Sequence, residues 1–266
     1  MTTTQTPARQ IASAMLNKVP EVTIFFWVIK ILATTVGETA GDNLATNLGL
    51  GLSGTTWVMS GALVVVLAFQ FRLHRYVPGV YWLAVVLLSV VGTLITDNLT
   101  DKYNVALATT TSIFAVALTV VFLIWYRVER TLSIHSIFTT RRESFYWLAI
   151  LFTFAFGTAA GDYLAETLNL GYWKSALMFG LAIALITFGW RYMRLNAIVA
   201  FWSAYILTRP LGASFGDFLS QPKGDGGLGL GTTATSFIFL SAILLVVIYL
   251  SATRRDQAEL TPAPAA

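Results

Sequence analysis

Trp27, Trp82, Trp147 and Trp202 each begin the same ruler. Ten residues after each comes a glycine, Gly37, Gly92, Gly157 or Gly212. Fifteen residues after each comes an aspartate, Asp42, Asp97, Asp162 or Asp217, and two further on a leucine, Leu44, Leu99, Leu164 or Leu219. An aromatic residue, Phe26, Tyr81, Tyr146 or Phe201, precedes each tryptophan. A repeat of this kind constrains a fold more tightly than any single motif, because every copy must form the same supersecondary unit. The tryptophan spacings of 55, 65 and 55 residues group the copies as two pairs displaced by 120 residues. Across that displacement GETAGDNLATNLGLG aligns with GTAAGDYLAETLNLG without a gap. A two-helix hairpin doubled twice accounts for the pattern.

The chain carrying this ruler is 56% hydrophobic and only 11% charged, with mean hydropathy +0.70 over 266 residues. That is too apolar for a soluble domain of this size. Eight apolar segments, near 21–46, 54–72, 78–100, 104–126, 143–167, 172–190, 197–219 and 229–250, are each long enough to cross ~30 Å of hydrocarbon as a helix. They are continuous runs, unlike the alternating strands of a barrel. The expected fold is an all-α membrane protein: eight transmembrane helices as four parallel two-helix repeats, in two duplicated four-helix halves. The repeats fall at about 21–72, 78–127, 143–190 and 197–250, between an N-terminal segment 1–20 and a disordered tail 251–266. A single bundle with an internal pseudo-twofold axis is the favoured arrangement.

Arginine and lysine are distributed unevenly over the connections. Twelve lie on one side (Arg9, Lys18, Arg72, Arg75, Arg127, Arg130, Arg141, Arg142, Arg191, Arg194, Arg254, Arg255) and three on the other (Lys102, Lys174, Lys223). The positive-inside rule then places both termini in the cytoplasm. Hairpin units re-enter in the same sense, so the repeats are parallel. Every tryptophan lies toward the cytoplasmic face, and every aspartate ~22 Å further along its helix. Four carboxylates therefore share one depth.

With no cysteine, thiol catalysis and thiolate metal sites are excluded. His74 and His135 lie between apolar runs. No His-Glu-x-x-His pair and no Gly-x-Ser-x-Gly elbow is present. The chain is read as neither an enzyme nor a nucleic-acid binder, since its basic residues flank the spans. QPKGDGGLGLGTT lacks the Gly-Lys-Ser/Thr ending of a phosphate loop and reads as an extracytoplasmic turn.

The chemistry rests on the carboxylates, which are costly at membrane depth. Glu38 and Asp42 are four residues apart and share a helix face. A ring of Glu38, Asp42, Asp97, Asp162 and Asp217 offers the several oxygens that a hard cation such as Mn²⁺, Mg²⁺ or Ca²⁺ requires. The repeats diverge around this ring. Only the first has Lys30 and Glu38, and only the fourth has Arg209 followed by Pro210. Lys30 and Arg209 are expected as internal countercharges, and Thr34, Thr35, Thr39, Ser89, Thr93, Thr158, Thr208 and the hydroxyls opening the even spans as auxiliary oxygens along a pathway. The alternative for the aspartates is to cap the next hairpin. The tryptophans are assigned to an interfacial aromatic belt and the glycines to close helix packing.

FWVIKILATTVGETAGD and its three degenerate copies resemble the bacterial multi-pass "uncharacterised membrane-anchored proteins", built from four copies of a short repeat of unknown function. The resemblance covers almost the whole chain outside the tails and implies a multi-span membrane protein. GETAGD also looks like the acidic Glu-x-Gly-Asp signature of one class of cation exchangers, although here two residues separate the Glu from the Gly-Asp. The leading expectation is a transporter or permeation pathway for a cation, most naturally divalent and able to be coupled to protons. No resident cofactor beyond a bound divalent cation is implied. The alternative is a non-transporting membrane scaffold or sensor whose acidic ring is structural or pH-responsive. Small-residue faces serve equally within a chain and between copies in a homo-oligomer.

Overall fold

The computed structural model describes residues 17–257 apart from Leu48. The expected N-terminal segment is thus described only from Asn17 and the tail only to Gln257; the rest of both lies outside the described residues. Among the described residues eight α-helices follow one another: α1 (Ile24–Asn47), α2 (Gly51–Arg72), α3 (Pro78–Asp97), α4 (Leu107–Glu129), α5 (Thr140–Asp162), α6 (Tyr172–Tyr192), α7 (Ala197–Ser220) and α8 (Thr232–Thr253). Each predicted span finds its helix. Seven are long and apolar enough to cross a membrane. The eighth, α7, is as long, but Arg209, Pro210 and a scatter of glycine and hydroxyl residues lower its hydropathy. It tolerates them because α1, α5 and α6 pack around it.

The odd helices form a closed ring in which α1 packs on α3, α3 on α5, α5 on α7 and α7 on α1. Each even helix lies outside the ring against the odd helix of the next repeat: α2 on α3, α4 on α5, α6 on α7 and α8 on α1. Each hairpin therefore clasps its neighbour. The bundle is single, as expected, and its packing order is cyclic and approximately fourfold, an order that contains the pseudo-twofold favoured from the duplication. The doubling of doubled units left no gap between halves.

The glycine ruler explains why the ring closes. A Cβ on Gly37 would collide with Ser89, one on Gly92 with Phe154, one on Gly157 with Arg209 and one on Gly212 with Thr34. Ser89, Phe154, Arg209 and Thr34 each stand seven residues after their repeat's tryptophan. One contact is thus made four times around the ring, and only a residue without a side chain allows the backbones so close.

The first and last described residues, Asn17 and Gln257, lie at the end of the bundle that holds the tryptophans. Trp82, Trp147 and Trp202 are buried, so the aromatic-belt assignment is wrong for them. They pack with Phe26, Tyr81, Tyr146, Phe201 and Tyr205 into a continuous aromatic mass filling this end of the ring. Lipid-facing duty falls instead to the outer helices, where Leu185, Phe188, Phe237 and Leu245 are exposed.

The tryptophan end is closed further by the segments just before α1 and just after α8. Lys18 reaches Glu143 at 2.7 Å and donates to the Phe71 carbonyl, while Gln70 and Trp147 also donate to Glu143. The Glu21 amide bonds the Asp256 carbonyl at 2.9 Å, and Tyr76 donates to the Asp256 carboxylate. The first residues of the tail are docked, contrary to the expected disorder. Burial raises the Asp256 pKa against that hydrogen bond. Nearby, Glu21 and His135 face each other at 3.5 Å. Their hydrogen bond lowers the Glu21 pKa and raises that of His135.

Candidate metal centre

At the opposite end the inner faces of the odd helices present polar residues in layers four residues apart. Counting from each tryptophan, the eleventh residues are Glu38, Thr93, Thr158 and Ala213; the fifteenth are the four aspartates; the nineteenth are Thr46, Asp101, Glu166 and Gln221. Four residues advance a helix ~6 Å and return it close to the same face, so the layers stack along the ring axis.

Two of the four copies widen at the last layer. After Asp97 and Asp162 the chain continues as single π-turns, Asn98–Lys102 and Tyr163–Thr167. They are closed by bonds from the Tyr103 amide to the Asn98 carbonyl and from the Leu168 amide to the Tyr163 carbonyl, each 3.0 Å. Such turns recur at functional sites because they re-aim the residues they carry. Here they carry Asp101 and Glu166.

The layers enclose a cavity of about 160 Å³ lined by Glu38, Asp42, Asp97, Asp162, Asp217, Asp101, Glu166, Thr100, Leu107 and Gln221. All five carboxylates expected as ligands from the sequence thus meet in one place. The capping alternative fails: no side-chain cap bond is made by Asp97 or Asp162 where they precede the π-turns. Among the described residues, no protein donor bonds to the carboxylate of Asp42, Asp97, Asp162 or Asp217. Oxygens of Glu38, Asp162 and Asp217 lie within 4.8 Å of one another, close enough to hold one metal ion. Asp101 and Glu166, exposed at the mouth, were missed. Extending the ruler by one more turn would have found them, though the tryptophan, glycine and aspartate matches end before it.

Behind Glu38, inward of the cavity, stands one guanidinium. Arg209, fully buried, crosses the ring from α7 and donates through Nη2 to Glu38 at 2.8 Å, to Thr158 at 2.6 Å and to Thr93. Its Nη1 donates to the Thr34 carbonyl at 3.0 Å. Arg209 is therefore the expected countercharge. Lys30 is not a partner of any carboxylate among the described residues. Its ammonium is fully buried between the rings of Phe154 and Tyr205, 4.3 Å from each centroid, with no hydrogen-bond acceptor. Attraction to the ring faces offsets part of its desolvation.

The expected auxiliary hydroxyls divide. Thr93 and Thr158 join the site through Arg209. Thr34 and Thr35 do not line the cavity: their side chains return to the Ile31 carbonyl, and Thr34 also bonds the Thr208 carbonyl across the α1–α7 contact. The hydroxyls that open the even helices do not line it either. Thr56 and Thr232 accept from Asn98 and Asn43 and so tie outer helices to inner ones. QPKGDGGLGLGTT folds back on the end of α7 through bonds such as Gly231 amide to Ser220 carbonyl, as a turn does.

A family model described as a repeat of unknown function (DUF347) matches the chain four times, over residues 25–76, 80–131, 145–195 and 200–256. These matches coincide with the four hairpins. No curated protein and no solved structure matches.

Proposed function

The chain belongs to the DUF347 repeat family, and we propose that it is a membrane pathway for a hard cation, most naturally a divalent ion such as Mn²⁺. One observation carries this reading. Seven carboxylates surround a single cavity at one end of the ring, and among the described residues only Glu38 of these has a cationic side chain as partner. Buried carboxylates without donors cost several kcal/mol unless something from outside supplies positive charge or protons. Oxygen-only donors in that number suit Mn²⁺, Mg²⁺ or Ca²⁺ better than soft metals. The tryptophan end is assigned to the cytoplasm by its arginines, so the acidic mouth faces the other side and draws cations by its field.

In this reading an ion passes Asp101 and Glu166, sheds water against the aspartates, and is held by Glu38, Asp162 and Asp217. Passage onward needs rearrangement of the aromatic mass. That closed end gives the sensor alternative its support, since a site open on one side alone could bind without transporting. Flux separates the two. Purified protein in liposomes with an internal Mn²⁺-quenched dye should admit Mn²⁺, and Asp162→Asn should abolish entry while the protein stays folded. Mn²⁺ binding without entry in the parent would favour a sensor; neither binding nor entry would discard the cation reading.

A further inference from the structure

We propose that Arg209 is a tethered cation occupying the inner ion position of the pathway, a position that becomes a second metal site when the guanidinium leaves. The inference rests on the cation reading above. Its basis is register. The residues received by Nη2, Glu38, Thr93 and Thr158, are the same repeat position on three different helices. The fourth copy of that position is Ala213, one turn beyond Arg209 on its own helix, which carries no oxygen. Three equivalent oxygens on a ring converge near its axis, so Nη2 sits where an ion travelling along that axis would sit. The outer position, formed by Glu38, Asp162 and Asp217, shares Glu38 with it. An ion bound outside and the guanidinium inside therefore compete for one carboxylate.

A second observation separates Arg209 from a static countercharge. Its Nε, fully buried, has no acceptor, and neither has the Lys30 ammonium on the same side of the acidic cavity. The protein leaves nitrogen donors without acceptors inward of Glu38, while the aspartates outward of it have no protein donor among the described residues. A guanidinium with all five N–H donors bonded would be held more firmly. The α7 helix runs unbroken through this point, but Pro210 removes one amide from its hydrogen-bond ladder beside Arg209, which eases movement of that turn.

With the guanidinium gone, Glu38, the Thr93 and Thr158 hydroxyls and the Thr34 carbonyl would offer four oxygens to an ion. Arg209→Gln should then bind about one more Mn²⁺ per chain than the parent in a paramagnetic titration, and admit Mn²⁺ into liposomes roughly tenfold faster, a change equal to ~1.4 kcal/mol in the barrier. Arg209→Lys, which keeps a tethered cation, should retain the parent stoichiometry. Should folded Arg209→Gln bind no extra Mn²⁺ while Asp162→Asn still abolishes binding, the plug is overturned and the pathway stands. If parent and Arg209→Gln both bind none, the two fall together. Where Arg209→Gln does not fold, the neutral pair Glu38→Gln with Arg209→Gln replaces it. That pair must admit Mn²⁺ faster than Glu38→Gln alone, and equal rates overturn the proposal.

Discussion

Arg209 and Glu38 form an ion pair of 2.8 Å across the ring between α7 and α1, with both side chains buried. They are 171 residues apart in the chain, so the pair reports that the ring has closed. Removing one partner strands the other charge in a dry interior, whereas removing both does not. Glu38→Gln should destabilise the protein by about 3–5 kcal/mol. The double variant with Arg209→Gln should recover most of that. Thermal unfolding of the four species in detergent checks the cycle, and additive losses would show that the pair is not coupled.

The repeat glycines should be far less tolerant than their neighbours. A Cβ on Gly92 would lie 2.6 Å from the Phe154 Cβ and 3.1 Å from the Ala155 backbone nitrogen, which cannot move without moving α5. Gly92→Ala should cost about 1–3 kcal/mol. Gly61, on an outer helix with open space at its Cβ position, is the control. Gly61→Ala should be neutral or gain up to about 1 kcal/mol from better helix propensity.

Carboxylates at different layers should differ in rank. Asp162→Asn and Asp217→Asn remove groups from the oxygen cluster itself and should each weaken Mn²⁺ binding at least about tenfold, ~1.4 kcal/mol. Asp101→Asn at the mouth removes only field, so it should slow entry at low salt and matter little at high salt. A salt titration of Mn²⁺ entry distinguishes the layers. Equal salt dependence for all three variants would contradict the layered arrangement.

Outside the spans, the Glu21–His135 contact makes the tryptophan end pH-sensitive. The His135 pKa is raised in the folded protein, so its contribution is complete below the unfolded value near 6.5 and fades as pH rises through the folded one. The Glu21 pKa is lowered, so its contribution is present above the unfolded value near 4.5 and fades as pH falls through the folded one. Both charges coexist between these limits. Protection of the Glu21 amide against hydrogen exchange, relative to a His135→Asn variant, should be greatest near pH 5–6 and converge with the variant above pH 8. A pH-independent difference would refute the pair's role.

Periodicity alone determined the helices, the four hairpins, the common depth of the aspartates and the closeness demanded at each glycine. A helical ruler specifies height along an axis and one face of each helix, and both survive into the fold. What it does not specify is which helix stands beside which, or how each is turned toward the centre. The clasping order, the burial of Trp82, Trp147 and Trp202, the reach of Arg209 to Glu38, Thr93 and Thr158, and the isolation of Lys30 between two rings were decided by tertiary packing. These depend on contacts between segments far apart in the chain, where several lateral arrangements satisfy one hydrophobic pattern. Side-chain volume at the ring contacts, with glycine against Ser89, Phe154, Arg209 and Thr34, selects among them.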